Sequence, residues 1–262
     1  MLLDDKVAVV YGGGGTIGGA VARAFAREGA RVFVTGHRLG PAEKVVAAIE
    51  EAGGRAEAAE VDALDEDAVD AHLDHVVAAA GRVDVSFNAV GLSDRSVLGS
   101  PLTDLDVDRF LLPVVTYART WFVTARLAAR RMVPQGSGVI MTVSALPARA
   151  GSPLNGGYGP AQAAKEAMVR DLSLELAPRG VRVVGVRPHA IPDSPTMAAV
   201  FAAKPASGLT WDEFVARLAG STHPRRSSTV EEVAEVAAFL ASDRASGMTG
   251  TIVNLTMGSL DD

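Results

Sequence analysis

The sequence predicts a parallel α/β sheet with helices on both faces, and three observations predict it. Residues 6–11 are a short apolar run ending in four glycines, Gly12 to Gly15, and residues 20–27 then repeat apolar side chains at helical spacing. With the apolar run at residues 31–35 this makes a strand–helix–strand unit joined by a glycine turn. Apolar runs go on alternating with helix-period segments to the C-terminus, the pattern of parallel strands joined by crossover helices. Finally, 262 residues with 48% apolar content can bury a substantial core as one domain, residues 1–262.

The later elements follow from the same signals. Residues 41–52 read as a helix closed by Gly53 and Gly54, residues 55–61 as the third strand, and residues 65–80 as a helix stopped by Gly81. Residues 83–88 form the fourth strand and lead into a loop, residues 89–100, containing Gly91 and Gly99. Residues 106–132 are helical, interrupted or kinked near Pro113, and Gly136 and Gly138 stop them. Residues 139–143 are the fifth strand; a loop rich in proline and glycine then precedes a helix over residues 158–176. Residues 181–186 and 251–255 are the sixth and seventh strands, with the last helix, residues 230–241, between them. Only residues 192–224 break the alternation. They read as two short helices, residues 197–203 and 211–219, inserted where a lid over the crevice at the strand ends belongs. There Phe201, Trp211 and Phe214 offer either an apolar ligand wall or packing between the lid helices.

Composition narrows the function. The formal net charge is −6 and the basic pairs Arg130-Arg131 and Arg225-Arg226 are isolated, so nucleic acid is not an expected partner. There is no cysteine, which removes disulfides, thiolate nucleophiles and thiolate metal sites. No signal-peptide pattern opens the chain and no apolar run reaches membrane-spanning length, so a cytoplasmic, soluble protein is expected. His72 and His75 lie three apart on a polar helix face with no third ligand, which places them at the surface; no metal is expected.

The glycine turn carries the chemistry. Gly13, Gly15 and Gly18 match the G-x-G-x-x-G spacing, here between a strand and a helix, where unpaired N–H groups and the helix dipole favour a dinucleotide pyrophosphate. A turn that needs glycine only for packing is the alternative.

At this point the chain resembles the short-chain dehydrogenase/reductase family over essentially its whole length. The resemblance is carried by Tyr11-Gly-Gly-Gly-Gly-Thr-Ile-Gly18, by Asp62-Ala63, and by Asp84-Val-Ser-Phe-Asn-Ala-Val-Gly91. It continues in Tyr158-Gly-Pro-Ala-Gln-Ala-Ala-Lys165, Val186-Arg-Pro-His189 and Met248-Thr-Gly-Thr-Ile-Val-Asn254. It implies a Rossmann-type, doubly wound, seven-stranded sheet of order 3-2-1-4-5-6-7, a nicotinamide cofactor, a small-molecule substrate and a homo-oligomer built through the long central helix and the Tyr158 helix. In that family a tyrosine is the acid/base and a lysine four residues on lowers its pKa. A serine thirteen residues earlier binds the substrate oxygen, and an asparagine of the central helix anchors a relay water. Here Tyr158 is kept, but Gln162, Ala145 and Tyr117 stand at the other three places, with Ser144 beside Ala145. Lys165 is displaced by three residues relative to Gly180 and Val181 and reads as a solvated or interface side chain, the alternative being that its long stem reaches the site.

The resemblance also maps a cofactor site onto Gly12, Gly15, Thr16, Ile17, Gly18, Asp62, Asn88, Gly91, Gln162, Pro188 and Ile191. Thr16 replaces a glycine of the turn and is expected to cap the helix and offer its hydroxyl to phosphate. After the second strand Gly36 is not acidic, while His37 and Arg38 suit a 2′-phosphate, so NADP(H) is favoured over NAD(H). His189 replaces the glycine beside the nicotinamide, where it crowds the ring, acts as an acid/base with Asp193, or is simply hydrogen-bonded in a rearranged loop. The leading expectation is an NADP(H)-linked reductase of a carbonyl or related unsaturated group on a small apolar substrate, with Tyr158 as proton donor assisted by Ser144. The alternatives are a non-redox lyase, isomerase or cyclase using Tyr158, His189 and Asp193, and a catalytically inactive subunit.

Overall fold

The computed structural model describes residues 1–92, 98–203 and 208–261. Its seven strands are β1 (Val7–Tyr11), β2 (Arg31–Gly36), β3 (Arg55–Glu60), β4 (Val85–Asn88), β5 (Gly138–Val143), β6 (Val181–Pro188) and β7 (Thr251–Leu255). They form one sheet in the order β3-β2-β1-β4-β5-β6-β7, parallel throughout. The order reverses at β1, between β2 and β4, so the carboxyl ends of β1 and β4 open a crevice at the switch point. The expected doubly wound sheet is therefore present, strand for strand.

Alternation along the strands feeds two cores. Ala8 and Val10 of β1 face one cluster with Val21, Phe25, Val85, Phe87, Val184 and Ala237. Val7, Val9 and Tyr11 face the other with Leu73, Trp121, Leu127, Ile140 and Val183. Each fully buried Val, Leu or Phe contributes about 1.5–3 kcal/mol, so a sheet loaded on both faces is the stable solution for strands this apolar.

The helices are α1 (Thr16–Arg27), α2 (Leu39–Glu51), α3 (Glu66–Ala80), α4 (Val107–Gln135), α5 (Tyr158–Leu176), α6 (Pro195–Ala202), α7 (Trp211–Gly220) and α8 (Val230–Ala241). Side-chain caps set several starts. Asp65 caps α3 and Asp106 caps α4, and Thr210 and Thr229 close capping boxes with Glu213 and Glu232. Gly81 and Gly136 end α3 and α4 in the left-handed conformation.

Two expectations about helix limits change. α4 is not interrupted at Pro113 and runs 29 residues to Gln135, because packing of Trp121, Leu127 and Met132 in the core outweighs one lost backbone hydrogen bond. α2 begins at Leu39, two residues before Pro41, so that the proline stands in its first turn. In the inserted segment α6 and α7 are joined by Phe201, Trp211 and Phe214, whose ring centroids lie 5.3–5.8 Å apart. Those rings pack the two helices on each other. Residues 93–97 of the loop after β4 and residues 204–207 of the insertion lie outside the described residues. Among the described residues no helix is long and apolar enough to cross a membrane.

Candidate active site

The turn between β1 and α1 is built by close backbone contact. Gly12 has φ +70°, and a Cβ on it would lie 2.7 Å from the Ala89 carbonyl oxygen beyond β4. A Cβ on Gly18 would lie 2.4 Å from the Gly12 carbonyl oxygen. Glycine is therefore required at both places, and the start of α1 is drawn down onto the strand end. Gly15 is the N-cap and provides no side-chain cap, so the first amides of α1, from Thr16 and Ile17 onward, keep their anion-binding capacity. Contrary to the expectation from the sequence, Thr16 does not cap the helix: Gly15 is the N-cap and Thr16 is the first helical residue, one position too late.

The surface beyond the carboxyl ends of β2 and β3 is polar and open. His37 and Arg38 follow β2 and are exposed, and Glu60, register partner of Gly36, accepts a hydrogen bond from the Leu39 amide at 3.2 Å. Asp62 accepts from the Leu64 amide at 2.9 Å and lines an open cleft with Asp65, Glu66, Asp67 and Arg119. Asn88 is buried and acts as a brace: its amide donates to Thr120 O at 3.2 Å and Thr124 Oγ1 at 3.0 Å, and its oxygen accepts from Val90 N. It ties the end of β4 to α4. Gly91 is exposed, with open space where a Cβ would stand.

Tyr158 heads α5. It is half-buried, and no described residue accepts its hydroxyl hydrogen. Burial, reinforced by the neighbouring Tyr117, pushes its pKa well above the ordinary phenol value. Tyr117 of α4 meets it edge to face, with centroids 5.7 Å apart and planes at 74°. One turn along α5, Gln162 is buried and its Oε1 has no hydrogen-bond partner among the described residues.

Lys165 is not a solvated side chain. It is 1% exposed and donates from Nζ to the Val143 carbonyl at the end of β5, 5.4 Å from the Tyr117 ring centroid. Burial lowers its pKa to about 7, partly opposed by the charge of Glu166. The reason is periodic: Ala161, Gln162, Lys165, Val169 and Ser173 are one buried stripe of α5, so this position is enclosed whatever its side chain.

Ser144 is also committed. Its hydroxyl donates to Glu166 Oε1 at 2.6 Å, and Glu166 is gripped by Arg187 through Nε at 2.8 Å and a second nitrogen at 3.0 Å. All three residues are buried. Sequence reasoning missed this cluster, although Glu166 lies eight residues after Tyr158 on the same face of α5 and Arg187 interrupts an apolar strand.

His189 follows Pro188 at the end of β6, its backbone anchored to the Leu255 carbonyl. Its Nε2 meets Ser221 Oγ at 3.1 Å, and burial lowers its pKa, with the Ala190 backbone acting the other way. The expected His189–Asp193 pair does not form. Asp193 is exposed in the turn before α6, because the chain leaves β6 through buried Ile191 and Pro192 and turns the carboxylate outward. Of the two helix histidines, His75 is exposed and pairs with Glu57, but His72 is buried under β2 against Phe33. Among the described residues no cluster has the makings of a metal site.

Comparison with known proteins identifies the family. A family profile described as "Enoyl-(Acyl carrier protein) reductase" matches residues 14–259. The chain belongs to the short-chain dehydrogenase/reductase family. Within that family it is 33% identical over 254 residues to cis-4-hydroxycyclohexanecarboxylate dehydrogenase of Sinomonas cyclohexanicum, covering 97% of this chain and 96% of that one. It is 34% identical over 250 residues to the mitochondrial (-)-isopiperitenol/(-)-carveol dehydrogenase of Mentha piperita, covering 95% and 91%. The structure of 7 alpha-hydroxysteroid dehydrogenase complexed with NADH and 7-oxo glycochenodeoxycholic acid superposes with a TM-score of 0.85. It is 29% identical, with 99% of this chain and 96% of that chain covered.

Proposed function

We propose that the protein is an NADP(H)-linked reductase acting on a carbonyl of a small, largely apolar substrate, with Tyr158 as proton donor. The observation that carries this is the Tyr158 hydroxyl, at the head of α5, with its hydrogen unclaimed by any described residue. A raised pKa keeps that phenol protonated. An ordinary phenol already costs about 4 kcal/mol to ionise at pH 7, at 1.36 kcal/mol per unit, and here the cost is higher. Tyr158 is therefore a donor to a carbonyl oxygen and a poor base toward an alcohol.

The residues fit a dinucleotide. The uncapped start of α1 held down by Gly12 and Gly18 takes a pyrophosphate, Asp62 meets the adenine edge, and the unpartnered oxygen of Gln162 suits a ribose hydroxyl. Pro188 and Ile191 wall the ring end beside His189. The exposed His37 and Arg38 favour a 2′-phosphate, since the Glu60 carboxylate is turned onto the Leu39 amide. When bound, the reduced nicotinamide supplies a hydride. The insertion carrying α6 and α7 closes over the crevice as a lid.

Titration with NADPH and NADH, followed by cofactor fluorescence, tests the reading, with cyclic ketones as carbonyl probes. NADPH is expected to bind more tightly than NADH, and Tyr158→Phe to abolish reduction while leaving NADPH binding intact. No cofactor binding at millimolar concentration ends the proposal.

A homo-oligomer through α4 and α5 is part of the same reading. Val107, Leu111, Val115 and Phe122 are exposed along α4, and Leu174 of α5 is 81% exposed. Such a run of apolar side chains is suited to a second copy. Sedimentation of Val115→Arg should show dissociation if that face is the interface.

A further inference from the structure

We propose that Tyr117 is a second phenolic hydrogen-bond donor to the substrate oxygen, taking the part for which Ala145 has no hydroxyl. This rests on the carbonyl-reduction reading above and assigns its second contact.

Tyr117 comes from α4 and Tyr158 from α5, and the two rings meet edge to face. Its Oη accepts the Leu92 amide hydrogen at 3.1 Å, at the start of the loop after β4. That bond uses a lone pair and leaves the phenolic hydrogen free; no described residue accepts it. Tyr158 is in the same condition. Two contacting phenols thus reach the carboxyl edge of the sheet, each with a hydrogen to give and no acceptor among the described residues. The nearest serine does not compete, because Ser144 already donates to Glu166.

Two neighbours strengthen Tyr117 as a donor. A hydroxyl that accepts an N–H bond is polarised and donates more strongly. Lys165 Nζ, 5.4 Å from the ring centroid, draws on the π face whenever it is protonated. Burial holds both phenols in the neutral form, opposed in part at Tyr117 by the Leu92 amide and reinforced at Tyr158 by Tyr117, so they act as two donors and not as an acid–base couple. The arrangement fits an oxygen that gains negative charge as it reacts, the carbonyl of a ketone, an aldehyde or an enone. Tyr158 transfers its proton to that oxygen; Tyr117 donates a hydrogen bond and keeps its own.

The test uses 4-nitrophenolate as an oxyanion probe, its binding to the whole protein followed by absorbance at pH 8. Wild type is expected to bind it, and Tyr117→Phe and Tyr158→Phe each to weaken binding about tenfold or more, as for loss of a hydrogen bond to a charged group. Placing 3-fluorotyrosine at position 117 keeps the Leu92 contact and makes the phenol a stronger donor, so binding should tighten. A purely structural role for Tyr117 predicts no tightening. Unchanged binding in Tyr117→Phe, no gain with fluorotyrosine, or no uptake of the probe by wild type would each overturn the proposal. NADPH fluorescence, measured on the same proteins, is expected to stay unchanged in both phenylalanine variants. Its absence in wild type would count against the redox reading alone.

Discussion

Glu166 Oε1 accepts hydrogen bonds from Ser144 at 2.6 Å and from Arg187 at 2.8 Å, joining α5 to the carboxyl ends of β5 and β6. A buried carboxylate held by a guanidinium and a hydroxyl is rigid, and it fixes how α5 sits on the sheet.

Removing Arg187 leaves the Glu166 carboxylate in the interior without the guanidinium that grips it. Arg187→Met is expected to destabilise the protein by about 3–5 kcal/mol. Glu166→Leu should also destabilise it, and the double variant by less than the sum of the two. Urea unfolding measures all three, and additive losses would show that the pair is not coupled.

Lys165 makes stability depend on pH from the alkaline side. Its folded pKa, about 7, lies below the ordinary 10.5. Between those values the unfolded chain binds the proton and the folded protein does not, so stability rises as pH increases from 7 to 10.5. The full span is on the order of 5 kcal/mol at 1.36 kcal/mol per pKa unit. Lys165→Met should remove this slope, and below pH 7 it should be the more stable protein. Parallel urea melts between pH 6 and pH 10 give the comparison.

His72 acts on the acid side. Burial, helped by His75, lowers its pKa from 6.5 to about 4. The unfolded chain therefore takes up a proton first as pH falls, and stability present above pH 6.5 is lost on the way to pH 4. The loss is about 3 kcal/mol by the same conversion. In His72→Leu the thermal midpoint should fall less over that range than in wild type; equal falls would place the acid sensitivity elsewhere.

The glycines of the turn differ in what they tolerate. Gly18→Ala pushes a methyl to 2.4 Å from a backbone oxygen, whereas the same change at Gly15 brings it only to 3.2 Å. Gly18→Ala should lose about 1–3 kcal/mol of stability through overpacking, together with NADPH binding. Gly15→Ala should stay folded, and a calorimetric scan with an NADPH titration separates the two.

Much was legible before any coordinates. Strand runs, glycine stops and helix period are local signals, and they yielded seven strands, the glycine turn and Tyr158 at the head of its helix. Ordered motifs extended that to sheet order. What the sequence could not decide was which distant side chains meet. Ser144 finds Glu166 22 residues away, and His189 finds Ser221 32 residues away and not Asp193 four residues on. Tyr117 reaches Tyr158 only because α4 packs on α5. Lys165 was read from its spacing to Tyr158 and Val181, which says nothing of its place on the buried stripe of α5 that encloses it. Local propensity and period reside in neighbouring residues; partners across the site are chosen by strand register and helix packing, which no single stretch of chain contains.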